Sequence, residues 1–177
     1  VFNHRGIVLK ALQRNHEALA DFDAALALKE DFADACFNKA NTLVAVGEPE
    51  RAMVLFERAA RLQPNDVRYL NNIASCLSSL GKHIEAYACY LRVVEIDPGS
   101  SVGFLNIGIT LQRLGRVEDA LSAFSSAIDR DPCSAEAYSG RGECLMALNR
   151  LAEALHCCEM AIKLNESAAE NHYGHAN

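Results

Sequence analysis

With 177 residues, half of them hydrophobic and about a quarter charged, the chain is long enough to bury a sizeable core and has an ordinary soluble composition. Its net charge of -6 argues against a nucleic-acid partner, because phosphate binding wants a clustered basic surface. No uncharged apolar run approaches the roughly 20 residues of a membrane helix, so no membrane insertion is expected.

Val1-Phe2-Asn3-His4-Arg5 leads directly into an amphipathic pattern, without a signal peptide or an initiator Met. An excised fragment or a processed chain is the expectation. A 34-residue period then runs through the sequence without insertion, and each period holds two amphipathic stretches of about fourteen residues. Unit 1–32 lacks its first two positions. Phe2, Gly6 and Leu9 lie on its first stretch, Gln13 marks the turn, Ala18, Phe22 and Ala25 lie on the second, and Glu30 stands at the end. In unit 33–66 the same positions read Cys36, Ala40, Leu43, Gly47, Ala52, Phe56, Ala59 and Pro64. Unit 67–100 has Leu70, Ala74, Leu77, Gly81, Ala86, Tyr90, Val93 and Pro98. Unit 101–134 has Phe104, Gly108, Leu111, Gly115, Ala120, Phe124, Ala127 and Pro132. Unit 135–168 has Tyr138, Gly142, Leu145, Asn149, Ala154, Cys158, Ala161 and Glu166. Residues 169–177 begin the first helix of a sixth unit, which then stops.

Each recurring residue has a physical task. Small residues let two helices approach closely, and the aromatic beside them fills the remaining space. Gly and Asn tolerate the left-handed conformation that ends a helix. Proline after the second stretch stops it. One such hairpin cannot bury its apolar face alone, so neighbours must stack, and about eleven helices are expected.

These residues resemble the tetratricopeptide repeat. The third unit shows the pattern: Leu70, Ile73-Ala74, Leu77, Ala86, Tyr90, Val93 and Pro98. The likeness covers nearly the whole chain and recurs five times. The Trp of the ideal pattern is replaced by Phe2, Cys36, Leu70, Phe104 and Tyr138. Cys158 replaces the second-helix aromatic, implying looser packing in the last repeat. The resemblance implies an all-α, right-handed superhelical solenoid of antiparallel helix hairpins, whose first helices line a concave groove. Terminal repeats normally carry a polar outer face. Neither end does so here, and weak self-association through the terminal hairpins is expected, around Ala161, Ile162 and Leu164.

The seven cysteines lie in helical patterns rather than in a loop framework. All are expected to be reduced and metal-free, in a reducing, cytoplasmic compartment. His156, Cys157 and Cys158 precede His172 and His175, but adjacent helical residues point about 100° apart, so Cys157 and Cys158 do not readily share one ion. Cys158 reads instead as a small buried hydrophobe, and the histidine pair as a solvated end. No cofactor is expected. No nucleophile with a matched base and no phosphate-binding glycine loop appears, so the chain is not expected to be an enzyme. Carboxylates such as Glu57, Glu118 and Asp119 read as solvated surface.

The groove residues say more. The sixth position of successive units reads His4, Asn38, Asn72, Asn106 and Gly140, with Asn41 and Asn71 beside them. This resembles the asparagine ladder of O-linked N-acetylglucosamine transferase repeat domains, where such amides hold the backbone of an extended peptide. An amide both donates and accepts, as a peptide backbone does. Asn as an ordinary residue of this family position is the other reading, and both stand. The carboxylate clamp of chaperone-binding members needs three basic residues. Repeats two to four offer Phe37, Asn41, Asn72, Val102 and Asn106, and repeats three to five offer Asn71, Ser75, Asn106, Glu136 and Gly140. The clamp is therefore absent. Phe37, Val44, Leu105 and Ile109 give the groove apolar character, and Glu136 and Glu143 make one end acidic. The function expected is a protein-interaction scaffold that binds a peptide segment of a partner in its groove. The alternatives are a substrate-targeting region of a larger enzyme, such as a glycosyltransferase, and a self-assembling structural unit.

Overall fold

Five residues spaced at the period adopt positive φ: Gln13 (61°), Gly47 (84°), Gly81 (76°), Gly115 (73°) and Asn149 (58°). Each closes a first helix in the same way. The N–H of Arg14 donates to the Leu9 carbonyl and that of Gln13 to Lys10. Glu48–Leu43, Lys82–Leu77, Arg116–Leu111 and Arg150–Leu145 repeat the longer bond at 2.9 Å. This is a Schellman closure, which consumes carbonyls that the helix end would otherwise leave bare. Two of the five positions lack glycine, and the residues used, Gln13 and Asn149, sit there regardless.

The computed structural model describes the backbone of residues 1–174 and the side chains of residues 1–166. The described residues form helices without strands: α1 (Phe2–Ala11), α2 (Asn15–Leu28), α3 (Ala33–Ala45), α4 (Pro49–Leu62), α5 (Val67–Ser79), α6 (His83–Ile96), α7 (Ser101–Arg113), α8 (Val117–Arg130), α9 (Ala135–Ala147) and α10 (Leu151–Gly174). They make up two compact units, Val1–Cys89 and Tyr90–Asn177.

In the first unit α1 pairs with α2 and α3 with α4, and α2 and α4 each pack on the next first helix. Phe22 and Phe56 are fully buried beside Ala18, Ala25, Ala52 and Ala59. A Cβ on Gly6 would lie 2.6 Å from the Phe22 ring, so the helices meet there only because the residue has none. Cys36, Ala59 and Tyr69 form a further cluster with Ala33. The second unit repeats the plan with α7 on α8 and α9 on α10. Phe124 is fully buried, with Gly108 against it from α7 and Gly140 from α9. The carbonyls at one repeat position, Glu30 and Pro98, accept from an arginine of the next second helix, Arg58 at 2.9 Å and Arg130 at 2.7 Å.

Later first helices start on a cap. Asp66 accepts from the Arg68 N–H, Ser100 from Gly103 and Ser134 from Ala137. The corresponding residue before 169 is Ala168, and Glu166 stands where Pro132 stops α8. With neither a stop nor a start signal, α10 continues to Gly174. The new helix expected at 169 does not begin, and ten helices are described in place of about eleven. Residues 175–177 lie outside the described residues.

Candidate functional site

The first helices carry the residues singled out above, and the structure separates them by role. In the first unit Asn38, half-buried on α3, donates its amide Nδ2 to Oδ1 of Asn3 on α1 at 3.1 Å. Asn3 is buried. Asn72 on α5 donates to the Arg68 carbonyl one turn back, at 2.8 Å. Asn41 is half-buried, and the side-chain oxygen of Asn71 is buried without a hydrogen-bond partner. The Phe37 ring packs against Phe56 (centroids 5.8 Å apart) and Tyr69 (5.4 Å). It belongs to the edge of the core more than to a free surface. Val44 is exposed.

In the second unit Asn106 and Ile109 are half-buried on α7, and Leu105 is buried. Leu105 was expected to line a groove. Asn3, Phe37, Asn71 and Leu105 share one repeat position, and the Asn3–Asn38 bond shows that this position turns toward the neighbouring first helix. In the first unit Phe37 likewise meets the next first helix, at Tyr69 of α5. Glu136 and Glu143 on α9 are exposed, and Glu143 accepts from Gln112 Nε2 at 3.1 Å.

Two features of the first-helix face escaped the sequence reading. Asn3 was not singled out, although a 34-residue step from Phe37 leads to it. Arg68 sits at the second position of its repeat, on the same face as Asn72. Its guanidinium lies 5.3 Å from the Phe37 ring centroid and 5.6 Å from that of Tyr69. Asp66 fixes it with a 2.6 Å ion pair, and this bond raises the basicity of Arg68. Stacking on two rings presents a cation with its aromatic support already in place.

All seven cysteines are thiols. Burial pushes the Cys36, Cys76, Cys144 and Cys157 thiols up from the ordinary cysteine range. Cys157 is the buried member of its pair. Cys158, expected to be buried, is only half-buried. Among the described residues no three or more His, Cys, Asp or Glu side chains gather where they could hold a metal. The His172 and His175 side chains lie outside the described residues. No described helix is long and apolar enough to cross a membrane.

The helix hairpins and their repeated closures define a helical-repeat scaffold. Tetratricopeptide repeat profiles match residues 9–76, 67–100 and 105–169. The chain belongs to the tetratricopeptide repeat family. Among solved structures it is similar to MamA, at 15% identity over 93% of this chain and 96% of that one, with a TM-score of 0.86. A MamA chain from Desulfovibrio magneticus RS-1 matches at 16% identity over 94% of each chain, with a TM-score of 0.86. YrrB, a repeat protein described as having an unusual peptide-binding site, matches at 24% identity over 92% of this chain and 84% of that one, with a TM-score of 0.76. These likenesses show the fold. A comparison with curated protein sequences finds no match.

Proposed function

We infer that the chain is a non-catalytic scaffold whose first-helix face binds an extended peptide segment of a partner protein, in a reducing cytoplasmic setting. The observation that carries this is the first-helix face of the first unit, where Asn41 and Asn72 are half-buried amides and Arg68, on the same helix as Asn72, adds a cation supported by two aromatic rings. A peptide-binding site on the similar fold of YrrB points the same way. In the second unit, Ile109 and the exposed Glu136 and Glu143 suit a ligand with apolar and basic side chains.

The test uses peptides selected from a random display library on the wild-type chain. Each amide bond contributes about 0.5–1.5 kcal/mol net. Asn41→Ala and Asn72→Ala together then weaken binding by about 1–3 kcal/mol, roughly five- to 150-fold. Affinity for basic peptides falls as salt is added. Equal affinities for wild type and the double variant would assign the asparagines to family background.

A further inference from the structure

The first helices of the second unit, α7 and α9, lie against each other, and their outward residues divide by chemistry. Val102 and Ile109 on α7 are apolar, and the residues one repeat further on, Glu136 and Glu143 on α9, are acidic. Val102 is 56% exposed, Ile109 is half-buried, and both glutamates are exposed. Met146, one turn after Glu143, adds an apolar side chain that is 50% exposed. Gln112 ties the two helices together: its Nε2 donates to the Gly140 carbonyl at 3.4 Å and to Glu143 at 3.1 Å. The Glu143 carboxylate is thereby held at the seam with α7.

Among the described residues neither Glu136 nor Glu143 is in an ion pair. Arg141, the one basic residue of α9, turns toward α10, where its charge reaches Cys157 and Glu153. The one charged residue of α7 is Arg113, at its last position, a turn beyond Ile109. The face is therefore an apolar strip bordered by two negative charges without a counter-cation. A segment with basic and apolar side chains complements it, and an acidic one is repelled. The net charge of -6 further draws a basic segment during encounter. Spacing narrows the partner. Two helical turns separate Glu136 from Glu143, so they share a side about 10 Å apart along the axis. A segment in the polyproline II conformation repeats its side-chain direction every third residue, over about 9 Å. A flat strand repeats it at about 7 or 13 Å, which fits less well.

We propose that this face takes a polyproline II segment of a partner protein with basic residues at i and i+3 and an apolar residue between them. The basic pair sits on Glu136 and Glu143, and the apolar side chain sits on Val102 and Ile109. Residues i+1 and i+2 turn a third of a revolution to either side of the basic pair, so one of them faces α7. The proposal rests on the peptide-binding reading above and specifies the chemistry of the peptide. Exposed ion pairs add little affinity each, so the two glutamates select and steer the ligand more than they hold it.

The experiment is fluorescence anisotropy of labelled synthetic peptides on the 177-residue chain. The peptides share one composition of two lysines, one leucine, prolines and alanines, and differ in lysine spacing: i+1, i+2, i+3 or i+7. The i+3 peptide should bind tightest. Glu136→Gln and Glu143→Gln should each weaken it roughly 1.5- to fivefold. That loss should vanish when the facing lysine is replaced by glutamine, in a double-mutant cycle. Both substitutions are isosteric and exposed, and circular dichroism melts check that the fold is kept. Tightest binding at i+7 would overturn the proposal in favour of a helical ligand. Equal affinity at every spacing would overturn it in favour of diffuse charge attraction, as would Gln variants that bind like wild type. Library-selected peptides separate this proposal from the reading beneath it. If they bind and respond to Asn41→Ala and Asn72→Ala, while no spaced lysine peptide binds, the reading stands and the proposal falls. If no peptide is selected at all, both fall.

Discussion

Replacing Asn38 should destabilise the first unit, whereas replacing Asn72 at the same repeat position should hardly matter. Asn38→Leu keeps the size of the side chain but removes the donor to Asn3 Oδ1. Asn3 is buried, so its oxygen is left bare at a cost of about 1–3 kcal/mol. The better helix propensity of Leu offsets at most about 0.7 kcal/mol of this. Asn72→Leu loses only an exposed bond to the Arg68 carbonyl and should stay within about 0.5 kcal/mol of wild type. Adding Asn3→Leu to Asn38→Leu removes both partners, and stability should recover most of the way. The buried Leu105 at the Asn3 repeat position shows that the seam accepts this side chain. Urea unfolding followed by circular dichroism measures the three variants. Hydrogen exchange on α1 amides localises the effect, about tenfold faster per 1.4 kcal/mol if exchange runs through local opening. The reasoning fails if Asn38→Leu is as mild as Asn72→Leu, or if the double variant is no better than the single.

Gly140→Ala should destabilise the second unit by about 1–3 kcal/mol in urea, because the Phe124 ring is held from the other side by Gly108 and cannot retreat. Phe124→Leu in the same chain should relieve part of that loss. The bidentate bond from Arg5, both arms at 2.6 Å, holds the Asp21 carboxyl below the ordinary carboxylate range. A folded pKa below the unfolded value makes this stabilisation complete above the unfolded pKa and removes it as pH falls through the folded one. Asp21→Asn should therefore flatten the acid limb of a stability–pH curve, with no change in its slope at neutral pH. Under native conditions iodoacetamide should label the exposed Cys133 first and the buried Cys36, Cys76, Cys144 and Cys157 last, as read by mass spectrometry. Equal rates for the two groups would contradict the packing described.

The repeat and its hairpins were legible because their signals are local and recur. Gln13, Gly47, Gly81, Gly115 and Asn149 end helices through their own backbone conformation, and Gly6 or Gly108 beside an aromatic states how closely two helices approach. The 34-residue spacing carries those signals from one hairpin to the next. Which residues stand free on the resulting face depends on neighbours far along the chain. Asn38 and Asn72 are the same letter at the same repeat position, yet only Asn38 meets a buried Asn3. Leu105 and Phe37 lie on first helices as expected, but their position turns into the seam between neighbours. Arg68 gains its place from two rings and a carboxylate brought together by folding. Leu155 and Ile162 on α10 repeat Leu121 and Ile128 of α8 at the same repeat positions, yet they are exposed where the α8 pair is buried or half-buried. Only the presence or absence of a packed helix separates them, and that is decided by tertiary structure, because burial belongs to a pair of surfaces and sequence describes one at a time.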